Sequence, residues 1–194
     1  MKKTTAEKLT FRPLTRGRWR DLERLFGERG ACGGCWCMWW RVSRAQYEKQ
    51  KGAGNKRALR KIVASGQAPG LLAYAGRQPV GWCSVAPRAN FPVLDRSRVL
   101  KAVDDKPVWS VVCLFVDKAW RRRGVSVALL RAAADYVRKH GGRIVEGYPV
   151  EPKSRWPDAF LSSGLPPAYR RAGFKEVARR SPTRPVMRRL LRRR

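Results

Sequence analysis

Residues 108–116 read Val-Trp-Ser-Val-Val-Cys-Leu-Phe-Val, apolar on both alternating faces. A strand carries that pattern when it is covered on both sides, so the segment is predicted as the middle of a covered sheet. After a turn, Val125, Leu129, Leu130, Ala133 and Val137 recur at helical spacing, which predicts a helix with one buried face, stopped at Gly141-Gly142. Residues 144–150 predict the next strand, so the order is strand, basic turn, helix, strand, a βαβ-type unit.

Upstream, residues 8–14 predict a first strand cut short by Pro13. Thr15 is placed to cap a helix whose apolar positions are Trp19, Leu22, Leu25 and Phe26. Ser43 with Gln46 matches a capping box, and Asn55 predicts the start of a further helix carrying Leu59, Ile62 and Val63, with Gly66 as its stop. Two apolar runs within residues 70–85, separated by Gly76-Arg77-Gln78-Pro79, predict a hairpin. Residues 86–106 are a connection with a short helix expected at 96–102, and residues 174–180 and 185–191 are predicted as closing strands.

Composition narrows the class. In 194 residues, 43% apolar, there are 44 Lys+Arg against 14 Asp+Glu, a net charge of +30. Enough apolar chain is present to build one core, which excludes a disordered tail, and a length of 194 residues points to a single domain spanning 1–194. The longest apolar stretch, at 108–116, is half of what crosses a bilayer, and the polar start shows no secretory pattern, so a cytoplasmic protein without a membrane partner is expected. Residues 170–194 hold 11 basic and one acidic residue, a field that attracts phosphate cofactors and nucleic acid alike, so weak nucleic-acid contact is one expectation. Five cysteines, an odd number, favour free thiols or a ligand cluster over a disulfide framework.

The turn between strand and helix, Arg121-Arg122-Arg123-Gly124-Val125-Ser126, is where chemistry concentrates. The first amides of a helix have no intrahelical acceptor and the peptide dipoles add partial positive charge, so an anion such as a diphosphate fits there. Neither a P-loop pattern nor a dinucleotide-binding glycine fingerprint occurs in the chain, and Gly81-Trp82-Cys83-Ser84-Val85 lacks the second glycine of a nucleophile elbow.

Residues 114–126 resemble motif A of the GNAT N-acetyltransferases, Gln/Arg-x-x-Gly-x-Gly/Ala, with Arg121 and Gly124 matching and Ser126 in place of the usual Gly or Ala. Downstream, Tyr169-Arg170-Arg171-Ala172-Gly173-Phe174 resembles the family's Tyr-x-x-x-Gly-Phe. The resemblance implies an α/β fold with a mixed, mostly antiparallel sheet flanked by helices, divided into acceptor-side helices with the Cys/Trp segment (1–69), a core (70–174), and closing strands with a basic tail (175–194). It also implies acetyl-CoA as co-substrate. Leu114, Phe115 and Val116 would pair with the pantetheine arm, and Arg121, Arg122, Arg123, Gly124, Val125, Ser126 and Val127 would form the pyrophosphate site. A backbone N–H near Val116 would hold the carbonyl oxygen, and Tyr169 would protonate the departing thiolate. The activity implied is acetyl transfer to a primary amine by direct attack; the alternative is a basic nucleic-acid- or ribosome-associated protein that uses the fold for binding.

For the base, Glu146 on the strand after the helix is the candidate, with a water chain as the alternative; His140 lies too far along the helix from Gly124. Cys113, on the central strand, offers an acetyl-thioester route as a lesser alternative. Cys32, Cys35 and Cys37 have spacing suited to metal binding, to a redox-sensitive thiol or to plain packing, and no second Cys-x-x-Cys pair follows. This segment resembles that of a bacterial GNAT subgroup, and Trp36, Trp39 and Trp40 would wall the acceptor site. Few acids stand near any candidate site, which favours a neutral or anionic amine over a polycation.

Overall fold

The computed structural model describes residues 8–152, 154 and 161–192. Its strands are β1 (Leu9–Pro13), β2 (Gly70–Ala75), β3 (Gln78–Pro87), β4 (Trp109–Val116), β5 (Ile144–Gly147), β6 (Lys175–Arg179) and β7 (Pro185–Leu190). They form one sheet in the order β1-β2-β3-β4-β5-β7-β6, antiparallel throughout except for the parallel pair β4 and β5. The helices are α1 (Trp19–Phe26), α2 (Arg44–Lys49), α3 (Ala53–Ala64), α4 (Val93–Arg96), α5 (Val125–Lys139) and α6 (Pro166–Arg171).

The sheet is covered on both faces, as the uninterrupted apolar run of β4 requires. On one face Val125, Leu129, Leu130, Ala133 and Val137 of α5 pack with Leu71, Cys83, Val85, Val111 and Val145. On the other, Trp19, Leu22 and Phe26 of α1 and Leu59 and Val63 of α3 close over Leu72, Tyr74 and the fully buried Trp82. A smaller cluster around Phe91, Leu94, Val112 and Tyr148 extends that second face towards β7.

Local signals hold where nothing distant competes with them. Ser43 caps α2, its Oγ accepting from the Gln46 amide at 3.3 Å. Asn55 does not cap: α3 begins earlier, after Gly52, and Asn55 is buried in its first turns, where Nδ2 donates to the Gly34 carbonyl at 3.2 Å. The Cys/Trp segment bends so sharply that Ala31, Trp36 and Cys37 take positive φ, and Asn55 tethers it at Gly34. The helix expected at 96–102 lies earlier, at Val93–Arg96, and β5 stops at Gly147 instead of continuing to 150.

The feature that positions the site is in β4. Ser84 pairs with Cys113 and Val85 with Val111, so Val112 is an extra residue, a β-bulge. Pairing between β4 and β5 covers only Trp109 to Val111, and past that point the two strands have no shared register. The outer half of β4 therefore has no strand partner on the β5 side, and its end, Val116, lines a cleft. Among the described residues no helix is long and apolar enough to cross a membrane.

Candidate active site

A cleft of ≈ 290 Å³ opens between the end of β4, the turn before α5, and α6. Arg122 sits at φ 61° and Gly124 at φ 80°, both left-handed, so the turn reverses tightly before the helix. A β-carbon penalises that region, and only Gly124 enters it without one. The first helical bond runs from the Ala128 amide to the Gly124 carbonyl at 3.1 Å, and no side chain caps the helix. The amides of Val125, Ser126 and Val127 therefore precede the intrahelical ladder and lie at the cleft lined by these residues.

Of the predicted pyrophosphate residues, Arg121, Arg122, Gly124, Val125, Ser126 and Val127 line this cleft, and of the predicted pantetheine residues Val116 does. Arg123 does not, because its guanidinium stacks on the Trp120 ring at 5.3 Å. Arg171 of α6 lines the cleft opposite the turn, a cation that the motif reading omitted; its position two residues after Tyr169 on one short helix was the available signal.

Along β4, the Leu114 amide points away from β3 and donates to the Ser162 carbonyl at 2.6 Å, while the Asp117 amide returns to Val80 on the β3 side at 3.0 Å. Alternation then aims the Val116 amide to the same side as that of Leu114. Phe115 contributes only backbone there: its ring packs edge-on against Phe26 at 5.5 Å on the opposite face. Residues 161–164 thus already run beside the open half of β4.

Tyr169 is fully buried, packed edge-on against Phe174 at 5.1 Å, and donates to the Ser163 carbonyl at 2.9 Å. Gly147 permits this placement, since a β-carbon there would stand 2.2 Å from the Tyr169 ring. Burial pushes the phenol well above its ordinary value, so it is protonated at neutral pH.

Glu146 is 1% exposed and closes a polar cluster on the face opposite α5. Its Oε1 accepts from Tyr148 Oη at 2.6 Å and Arg88 Nη1 at 3.1 Å, and its Oε2 from Arg188 Nε at 2.6 Å. Ser110 shares a hydrogen bond with the same tyrosine at 2.8 Å, and Asp95 and Asp104 complete the pairing of the two arginines at 2.7 Å. Both carboxylate oxygens are engaged, an arrangement of a charge anchor more than of a base waiting for a proton. His140 lies at the far end of α5, with Nδ1 2.8 Å from the Tyr136 carbonyl.

The Cys/Trp segment also packs differently from the reading as an acceptor wall. Trp36 turns inward, stacked on Trp19 at 6.0 Å, and only Trp39 is substantially exposed, at 38%. Trp82 Nε1 donates to Cys37 Sγ at 3.1 Å, and the Cys35 thiol donates to the Gly30 carbonyl at 3.7 Å. Cys113 and burial push the Cys37 thiol up, against the opposing effects of Cys35 and Trp82. Among the described residues no group of three or more His, Cys, Asp or Glu is arranged to hold a metal ion.

The Acetyltransferase (GNAT) family profile matches residues 36–151, more than half of the chain. The chain belongs to the GNAT acetyltransferase family. No curated protein matches it in sequence. Solved structures share the fold at low identity. The PaiA N-acetyltransferase of Thermoplasma acidophilum, in complex with coenzyme A, is 16% identical, with TM-score 0.55 over 95% of this chain and 99% of that one. A GNAT-family acetyltransferase of Listeria monocytogenes is 9% identical, with TM-score 0.60 over 94% and 95%. YncA of Salmonella typhimurium, a putative acetyltransferase with its cofactor acetyl-CoA, is 12% identical, with TM-score 0.53 over 96% and 95%. The fold expected from the two GNAT-like motifs is the fold observed.

Proposed function

We propose that this acetyltransferase moves acetyl from acetyl-CoA to a primary amine, with the pyrophosphate at the turn before α5 and the thioester at the open half of β4. The observation that carries the reading is the uncapped start of α5 beside the end of a bulged strand, whose Val116 lines the same cleft. The amides of Val125 to Val127, with Arg121, Arg122 and Arg171 around them, match a doubly charged linker. Relatives of the same fold hold coenzyme A or acetyl-CoA.

In the proposed reaction the amine nitrogen attacks the thioester carbon, and the carbonyl oxygen takes charge stabilised by a β4 amide, that of Val116 or, once Ser162 yields it, that of Leu114. The C–S bond then breaks, and Tyr169 turns its O–H from the Ser163 carbonyl to the departing thiolate. A phenol raised this far serves as a hydrogen-bond donor to a thiolate, whose ordinary pKa is near 8.5, and solvent completes the protonation. The amine's proton leaves through water, while Glu146 keeps β5 and its polar cluster in place. The Cys/Trp segment, read as a subgroup mark, packs the acceptor-side helices onto the sheet.

Calorimetry with acetyl-CoA tests the reading. Micromolar binding is expected, weakened at least 100-fold in Gly124→Glu, which adds a carboxylate and a strained φ at the anion site. Tyr169→Phe should lower kcat by roughly 100-fold, the lower end for a lost proton-donating group, with acetyl-CoA affinity kept. No binding of acetyl-CoA by the wild-type chain, together with salt-sensitive RNA affinity, would sink it in favour of the nucleic-acid alternative.

A further inference from the structure

A second and larger cleft, ≈ 570 Å³, lies on the face of the sheet opposite α5, between α2, α3 and the end of the Cys/Trp segment. It is lined by Arg41, Arg57 and Lys61, with the carboxamides of Gln46, Gln50, Gln67 and Asn90, and by no Asp or Glu. Arg57 and Lys61 are four residues apart on α3 and so share a face. None of the three cations forms a salt bridge among the described residues.

Arg41 is the unusual member, being only 9% exposed. One Nη donates to the Pro69 carbonyl at 3.3 Å, and the guanidinium lies 4.4 Å above the Phe91 ring, yet Nε is buried with no acceptor at all. Gln50 Oε1, at the same cleft, is likewise buried without a donor. Burial pushes Arg41 down to about 10, with the Cys37 thiol offsetting part of the fall. A buried cation with an unpaired donor, lining one cleft with two further cations and no carboxylate, is a site that an oxyanion completes.

Its position relates it to the transfer site. The Pro69 carbonyl that receives Arg41 also receives Ser84 Oγ at 3.4 Å, and Ser84 pairs with Cys113, the residue before Leu114. The guanidinium therefore sits over the strand next to the open half of β4, and neighbouring strands are about 4.8 Å apart.

We infer that this cleft is an oxyanion subsite, and that the acceptor is an amine carrying a carboxylate or phosphate group that Arg41, Arg57 and Lys61 hold while its nitrogen reaches β4. The word acceptor rests on the acetyl-transfer reading; the oxyanion site does not. Two measurements separate them. The first is independent of acetyl-CoA: inorganic phosphate, titrated into the protein with Gly124→Glu disabling the other anion site, is expected to raise Tm by several degrees, an effect lost on adding Arg41→Gln or Arg57→Gln. The second is CoA release from acetyl-CoA with matched acceptors, phosphoethanolamine against ethanolamine and amino acids against their amides. The anionic member of at least one pair is expected to show a KM at least tenfold lower, with Arg41→Gln abolishing that preference and the exposed Arg57→Gln and Lys61→Gln reducing it about threefold each. The two anions distinguish phosphate from carboxylate as the group held. No stabilisation by phosphate, or equal use of charged and neutral acceptors, overturns the inference. So does a short RNA that displaces phosphate and whose own binding depends on the same three residues, since that marks a polyanion groove. Phosphate stabilisation without any acetyl-CoA turnover would keep the subsite and refute the acetyl-transfer reading instead.

Discussion

Three arginines stand largely covered on one face of the same sheet, and their charges are met in opposite ways. Arg88 and Arg188 meet Glu146 between them and Asp95 and Asp104 outside, so although burial alone would lower both, Tyr148, Asp95 and Glu146 raise the first, and Asp104 and Glu146 the second. Arg41 has an aromatic ring and one carbonyl, and burial wins. A closed network is structural because every charge in it has its counter-charge already; an open one leaves a vacancy for a ligand to fill. The difference separates the part of this face that holds β5 and β7 together from the part that faces α2 and α3.

Removing the shared anion should have the largest effect. Glu146→Gln leaves two buried guanidiniums facing each other, and a loss of about 3–5 kcal/mol is expected from denaturant unfolding. If the loss is below about 1 kcal/mol, the network is not the anchor described here. Arg188→Met leaves Glu146 with one arginine instead of two and should cost about 3 kcal/mol by the same measurement, the lower end of breaking a buried pair. Arg41→Met is expected to have the opposite sign: without ligand, the variant should be unchanged or more stable by up to about 1–2 kcal/mol, because an uncompensated buried charge is replaced by an apolar chain of similar length that still covers Phe91. A clear destabilisation would mean that Arg41 belongs with the structural set.

The smallest effect is at the rim. Arg188 holds the exposed Asp104 carboxyl below its ordinary 3.8, helped by the Lys106 amide. A lowered carboxyl adds stability that is present above that value and fades as pH falls through the folded pKa. Asp104→Asn should therefore lower stability slightly near neutrality and flatten the acid limb below about pH 4, where the difference from wild type closes, as followed by thermal melts across pH.

How far the sequence could be read follows the reach of each interaction. The strand, turn and helix from 108 to 139 were legible because alternation, a glycine and helical spacing act between near neighbours, and the Ser43 cap was legible for the same reason. Asn55 had the look of a cap, but its amide belongs to Gly34, 21 residues away. Glu146 was recognisable as a carboxylate on the right strand, whereas its partners Arg88 and Arg188 lie 58 and 42 residues off, so its engagement could not be foreseen. The bulge at Val112 is invisible in an evenly apolar run, since no side chain there announces the extra residue. Arg41 was one arginine among many until the fold buried it.

The bond from Leu114 to Ser162 has a thermodynamic corollary. An arm that docks on an amide already in use exchanges one partner for another, so the net gain at that amide is only the difference between two similar bonds. Grip on the carrier molecule then has to come chiefly from its charged middle, while its reactive end stays loosely committed and easy to release after turnover.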